Sequence, residues 1–445
     1  MLKITCEGVY YKNGGFVPAK DGPAAGLPAP EKAREGTMAH AILKAHNTGD
    51  NMEELAIRFD AMASHDITYV GIIQTARASG MQAFPLPYVL TNCHNSLCAV
   101  GGTINEDDHV FGLSAAKKYG GEFVPAHQSV IHSYMRERYA APGRMILGSD
   151  SHTRYGAYGT MAIGEGGPEL ARQLLSKTYN IPYPKVIAIY LTGTPIPGVG
   201  PQDVALELIR STFKDGVVKN AVMEFFGPGV ANLSMDYRSG IDVMTTETTC
   251  LSSIWPADHT LKAHLAVLGR GEAFKPQAPA DGAYYDGLIE VELDKIRPMI
   301  ALPFHPSNAY TIQEFQENLD ELLHQVDEDT VRQLKLKNRP ASLREKIVDG
   351  KFRVDQGVIA GCSGGTYQNI VRAAQILDGR AIGSGEFWLS VYPTSQPVNL
   401  ELTRRGYIAS LMAAGASIRS CFCGPCFGAG DTPANGEFSI RHTTR

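Results

Sequence analysis

The chain has 445 residues, 44% of them hydrophobic and 20% charged, with a formal net charge of −5. That length exceeds what one hydrophobic core organises and calls for about three domains, and the composition is that of an ordinary soluble globular protein. The mild acidity argues against a nucleic-acid partner, which needs a basic face or arm, and the absence of any run of about 18 apolar residues argues against a membrane-spanning helix.

The N-terminal "MLKITCEGVYYKNGG" lacks the apolar centre of a secretory signal. Eight cysteines are too sparse for a disulfide scaffold, so a reducing, cytoplasmic setting is expected. "ITCEGVYY" and "GGFVPA" read as two short strands joined by a turn at Asn13-Gly14. Residues 16–30 are rich in Pro, Gly and Ala and read as a loop, and "APEKAREGTMAHAILKAHN" reads as a helix. Beyond residue 66, "ITYVGIIQ", "PYVLTNC" and "RMILGSD" look like buried strands. "PELARQLLSKTY" is a helix with Pro168 in its first turn. "KVIAIYLTG" is a strand followed by the helix "PQDVALELIRSTF". Residues 331–351 are charged and contain a proline, which suggests a linker or an exposed helix.

After it, "GVIAGCSGG", "TYQNIVRAAQIL", "FWLSVYP", "LELTRRGYIASLMAAGA" and "SIRSCFC" alternate strand, helix, strand, helix and strand. This is the pattern of a parallel sheet covered by helices on both faces. Ligands of such sheets sit at the carboxyl ends of strands. "GSDSHT", "GCSGGT" and "CFCGPCFG" all fall at such ends, and the shared placement says more than any one of them.

Cys423 and Cys426, three apart on a Gly-Pro turn, can hold one metal or one face of a cluster, and Cys362 occupies an equivalent strand-end loop. From spacing alone four readings are open: an iron–sulfur cluster, zinc on four cysteines with Cys421 as the fourth, a redox dithiol, or small buried side chains. Among thirteen histidines three have informative settings. His94 follows an apolar strand, His132 lies in "QSVIHSYMRERYAAPG", and His152 sits beside Asp150 and Ser151. An imidazole needs a partner to fix its tautomer and basicity, and Asp150 is a candidate. Glu247, in the Thr-rich "DVMTTETTCLSS", has no basic neighbour in sequence.

Taken together, "GSDSHTRYGAYGTMAIGEGG", "CGPCFG", "IAGCSGGTYQN", the block from "KYGGEFVPAHQSVIHSYMRERY" to "GSDSHT", and "VMTTETTCLSSIWP" resemble the aconitase family. The likeness runs over nearly the whole chain with the motifs in the same order. It includes the isopropylmalate isomerases and is nearest to the less-characterised aconitase-like hydratases. The resemblance implies an α/β fold of three α/β/α domains around a shared cluster-containing cleft: residues 1–185 with the Asp-Ser-His loop, 186–300 with the Glu247 loop, and 301–445 with the cysteines. It implies a 4Fe–4S cluster on Cys362, Cys423 and Cys426. Three thiolates leave one iron open as a Lewis acid for a hydroxy di- or tricarboxylate. By the same resemblance His94 handles the leaving hydroxyl, His132 pairs with Asp150, His152 pairs with Glu247, and Ser151 and Arg445 bind substrate carboxylate.

The family's swivel domain has no counterpart in these residues, so a separate small subunit or a further stretch of chain is expected to supply it. The departures are Cys93 where the family has an aspartate, Ile72-Ile73 at an expected glutamine-aspartate pair, Val243 at an expected asparagine, and Ser363-Gly364 after the first cluster cysteine. Cys93 predicts a His94 without a carboxylate partner and hence a weaker base. The expected activity is a hydro-lyase; the alternative is a non-catalytic iron–sulfur protein that senses iron or oxygen or uses the cluster for stability alone.

Overall fold

A computed structural model of the chain describes residues 2–94, 96–99, 101–337, 342–383 and 385–444. The expected α/β architecture is present as three main sheets. The first is parallel throughout and runs Glu122–Val124, Tyr88–Thr91, Ala61–His65, Met145–Gly148, Met161–Gly164. The second runs Leu2–Thr5, Gly287–Glu292, Val186–Thr192, Val222–Phe226, Ser252–Ile254, with only Leu2–Thr5 antiparallel. The third, also parallel, runs Ser417–Ile418, Trp388–Val391, Gln356–Ile359, Ser439–His442. The first strand of the chain thus closes a sheet whose other strands begin at residue 186.

Period-two alternation explains the burial of the first sheet on both faces. Ala61, Ala63, Val89 and Ile146 join one apolar cluster, while Met62, Tyr88, Leu90, Met145 and Leu147 join another behind them. The first cluster continues into Ile187, Ile189, Phe225 and Trp255 of the second sheet region and reaches Cys362, Cys421 and Cys423. The third sheet has separate clusters around Leu389 and Val391 and around Val358, and its cysteine loops alone reach the core that the first two sheets share.

Several elements differ from the sequence reading. "ITYVGIIQ" is not a strand: Tyr69–Ala78 is a helix, and its buried residues Tyr69, Ile72, Ile73 and Ala76 follow the three-four spacing of one helical face. The strand is Ala61–His65, just before it. "ITCEGVYY" divides into Leu2–Thr5 and Val9–Lys12, and the latter forms the hairpin with Gly15–Pro18. Asn13 and Gly14 in its turn have φ of 51° and 78°, as a tight two-residue hairpin turn requires. The helix expected over residues 29–47 is divided: Pro30–Ala33 and Arg34–Gly36 form short helical turns, and Met38–His46 starts anew where the Thr37 side chain accepts from the His40 amide. The helical segment near the C-terminus breaks into Gln396–Arg404 and Tyr407–Ala413 at Gly406, φ 83°. The expected linker is partly ordered structure: helix Leu319–Leu334 runs into it, and Ile347–Val348 pairs with Lys351–Phe352. Its residues 338–341 lie outside the described residues.

Candidate active site

Three segments of the first sheet region and three of the third meet in one cavity of about 30 Å³. It is lined by His94, His132, Asp150, His152, Cys362, Cys423, Cys426, Phe427 and Thr444. A larger, more open cavity, about 440 Å³, lies elsewhere, between Phe84, Tyr88, Glu122 and Tyr139. It holds none of the residues singled out above.

Asp150 is the hub. It follows strand Met145–Gly148 and presents both carboxylate oxygens to imidazoles. His132 Nε2 lies 3.2 Å from Oδ1, and the His152 backbone N–H donates to the same oxygen at 2.7 Å. His94 Nε2 lies 3.2 Å from Oδ2, and His65 Nε2 lies 3.7 Å from it. Burial alone would raise the Asp150 pKa; the imidazoles around it, His132 foremost, reverse that and hold it well below the ordinary carboxylate value.

Both carboxylate–imidazole pairs expected from the sequence are present. Besides the Asp150–His132 contact, His152 Nε2 is 2.7 Å from Glu247 Oε1. Glu247 stands on a single helical turn, Thr245–Thr248, beyond helix Met235–Met244, so the pair joins loops of two sheets. Burial pulls His152 down, but Asp150 and Glu247 together raise its pKa above the ordinary value. His132 has only Asp150 against full burial and falls to about 4. Its other nitrogen lies 3.1 Å from the Tyr155 hydroxyl. Ser151 is exposed, with its hydroxyl 3.4 Å from His152 Nδ1. Arg445 lies outside the described residues.

The expectation that His94 lacks a carboxylate partner is overturned. Its ring reaches Asp150, which arrives from another strand end and is invisible to local sequence comparison. Its Nδ1 lies 3.1 Å from the Cys93 sulfur. Burial opposes charge on this ring, but Cys93 and Asp150 outweigh it and raise the pKa well above the ordinary histidine value. His94 is therefore the stronger base of the set, not a weakened one. Its backbone N–H also donates to Asp66 Oδ1 at 2.9 Å, and Asp66 Oδ2 lies 3.0 Å from His109 Nε2.

The polar pair sought at Ile72-Ile73 is not there, since both are core residues of a helix. The pair that reaches the site is His65-Asp66, at the carboxyl end of strand Ala61–His65. His65 stacks on His94 with ring centres 4.0 Å apart, and Phe427 stacks on the other side at 5.8 Å. Burial and the adjoining His94 take His65 down to about 3. His305 is a further participant that the sequence reading passed over, with Nε2 3.6 Å from Glu247 Oε2. The signal for His65-Asp66 was available: two polar residues ending the buried alternation "AMASHD". Val243 is fully buried in the core cluster and does not line the cavity.

The three cysteines meet because glycines let their loops touch. Gly361, at φ 76°, has the Cys426 sulfur where its own Cβ would stand. Gly364 is pressed against the His442 carbonyl oxygen, so no side chain fits at that position. Cys423 and Cys426 are hydrogen-bonded through their sulfurs, which lowers Cys426 and raises Cys423, and burial pushes Cys362 up to about 12. The Cys421 thiol turns away and donates to the His127 carbonyl at 2.8 Å. Cys362 and Cys423 are buried and Cys426 half-buried, and all three share one cavity with imidazoles and a carboxylate; thiolates are donors suited to a soft metal centre. The donor set therefore fits an iron–sulfur group.

A family model described as the aconitase family (aconitate hydratase) matches residues 40–445. The mitochondrial aconitate hydratase of Schizosaccharomyces pombe is 30% identical over 395 residues, 84% of this chain and 46% of that protein. A probable mitochondrial aconitate hydratase of Dictyostelium discoideum is 28% identical over 419 residues, 88% and 50% of the two chains. The mitochondrial aconitate hydratase of Saccharomyces cerevisiae is 27% identical over 427 residues, 89% and 51%. The chain spans about half the length of these curated relatives.

Proposed function

The chain belongs to the aconitase family, and from that premise we propose that it carries the cluster-bearing half of a hydro-lyase acting on a hydroxy di- or tricarboxylate. The reaction is reversible loss and addition of water. The observation that supports this most is the convergence on Asp150 of imidazoles with opposite proton affinities, in the same cavity as three cysteine sulfurs. A site that only stores a metal has no use for four histidines arranged around one ionised carboxylate.

Cys362, Cys423 and Cys426 would hold a 4Fe–4S cluster. When bound, such a cluster supplies an open iron that acts as a Lewis acid on a hydroxyl or carboxylate. The rest falls to the side chains. His94, with its high proton affinity, keeps a proton at the cavity edge and delivers it to the departing hydroxyl. Asp150 fixes its ring from the far side. His132 stays neutral and orients Asp150, and His152 is held charged by Glu247 and attracts substrate carboxylate. Ser151 and Arg445 complete carboxylate binding. Phe427 shields His94 from solvent. A further domain or small subunit closes the site and supplies the base that takes the proton from the carbon next to the one losing its hydroxyl, so that the C–H and C–O bonds broken leave a double bond and water; three α/β units bounded near residues 185 and 300 form the walls.

Anaerobic reconstitution tests this reading. Protein supplied with iron and sulfide should take up about four of each per chain. With the complementing domain added, it should then hydrate or dehydrate at least one member of a hydroxy-acid panel. Cys423→Ser should abolish the visible absorbance, while Cys421→Ser should keep most of it. Zinc without sulfide, or an equal demand for Cys421, would reject the assignment. Cluster uptake with no turnover of any hydroxy acid would favour the sensing or structural alternative.

A further inference from the structure

Arg136 is a buried cation whose partner is not another side chain. It lies on helix Ile131–Arg138, one turn past His132, and is 4% exposed. One guanidinium nitrogen donates to the carbonyl oxygen of Cys362 at 3.1 Å, the other to that of Ser239 at 3.4 Å. Its Nε is buried without a hydrogen-bond partner. Among the described residues it forms no ion pair. Two carboxylates share the neighbourhood, and among the described residues neither is paired with it. Asp242 Oδ1 accepts from Ser253 and Trp255 while its Oδ2 makes no hydrogen bond, and Glu137 accepts from Ser395. Burial raises the pKa of both, against the opposing pull of Arg136.

An uncompensated guanidinium in a dry interior is costly. A residue kept there needs a negative charge that the polypeptide alone does not provide. The Cys362 loop, which Arg136 already grips by its carbonyl, indicates where that charge resides. Three thiolates on a dicationic 4Fe–4S core carry one net negative charge.

Resting on the cluster reading above, we propose that Arg136 is the buried counter-charge of the group held by Cys362, Cys423 and Cys426. It anchors the Cys362 loop and raises the cluster's affinity for electrons. Its hydrogen bonds go to backbone carbonyls, and it is a positioning residue.

The test compares Arg136→Met, which removes the charge, with Arg136→Gln, which removes it but keeps a donor for the Cys362 carbonyl, and Arg136→Lys, which keeps the charge. Iron and sulfide content, the rate of iron loss to a chelator, the reduction midpoint and the thermal midpoint of the metal-free protein are measured for each. Met and Gln variants should lose iron about 10-fold faster and reduce at a lower potential, with Lys near the parent. The metal-free Met variant should be no less stable than the parent, because a charge without a partner has been removed. Unchanged iron loss and potential, with a drop in metal-free stability alone, would overturn the proposal in favour of simple packing. If Arg136→Met does not fold, the Gln and Lys variants carry the same comparison. A parent protein that takes up no iron or sulfide would overturn the cluster reading itself, and the counter-charge with it.

Discussion

His152 and Glu247, 95 positions apart in the chain, stand 2.7 Å from each other across the join between two sheets. The contact lends His152 a higher proton affinity than its burial allows, and Glu247 does this with one oxygen while the other faces His305 at 3.6 Å. Glu247→Gln keeps the shape and removes the charge. Turnover on the hydroxy acid identified by the panel should fall about 10²-fold, the scale of a lost acid–base or charge-holding group. Iron and sulfide content should not change. Full activity with an intact cluster would show that the pair has no catalytic part.

Asp150 and Cys93 hold His94 from its two ring nitrogens. Asp150→Asn should lower the proton affinity of His94 and His152 together, whereas Cys93→Ala should lower that of His94 alone. Histidine proton resonances of the metal-free protein, followed against pH, separate the two patterns. If Cys93→Ala leaves His94 unmoved, the sulfur is a bystander and Asp150 alone sets that ring.

Gly364→Ala tests the packing that brings the cysteine loop to the third sheet. The added methyl would meet the backbone oxygen of His442, which cannot rotate aside. A loss of about 2 kcal/mol or more in unfolding free energy is expected, with reduced iron retention because Cys362 lies two residues away. Wild-type stability in denaturant titration would mean that the strand carrying His442 yields more easily than its buried, hydrogen-bonded setting implies.

Glu224 gives a pH dependence remote from the site. Its fully buried carboxyl accepts from the Met38 and Ala39 amides and from the Tyr285 hydroxyl, and burial raises its pKa to about 7. In the unfolded chain the same group loses its proton near 4.5. Between those values the native state binds more protons, so stability falls as pH rises through the window. Glu224→Gln should flatten that slope and stabilise the protein at pH 8, by at most about 3 kcal/mol. A slope that survives the substitution must belong to other groups.

The sequence is informative where function is local and weaker where the chain folds across itself. "GSDSHT", "GCSGG" and "CFCGPCFG" each announce a strand-end loop, and all three deliver the expected side chains to one cavity. Glu247 was legible because a lone carboxylate among threonines is unusual. His65-Asp66 left a signal in "AMASHD" that was passed over, because a five-residue strand and a ten-residue helix adjoin in one apolar stretch. Short apolar runs do not separate the two periods cleanly. The partner of His94 was missed for a different reason: Asp150 lies 56 positions further on, and only the parallel pairing of Ala61–His65 with Met145–Gly148 and with Tyr88–Thr91 brings the two loops side by side. Arg136 sits on a helix whose sequence, "IHSYMRER", looks like an exposed charged face, and nothing local says that this arginine points inward.

The two oxygens of Asp150 are divided among four imidazoles, so no proton in this set belongs to one residue. Each proton taken up by one ring changes the field felt by the other three. A pH–rate curve from such a site reports macroscopic steps of the assembly, and its inflections carry no single residue's name. Spectra of one histidine should show the others as secondary inflections. Comparing relatives by the identity of any one of these side chains will therefore describe the site less well than comparing the whole group around that carboxylate.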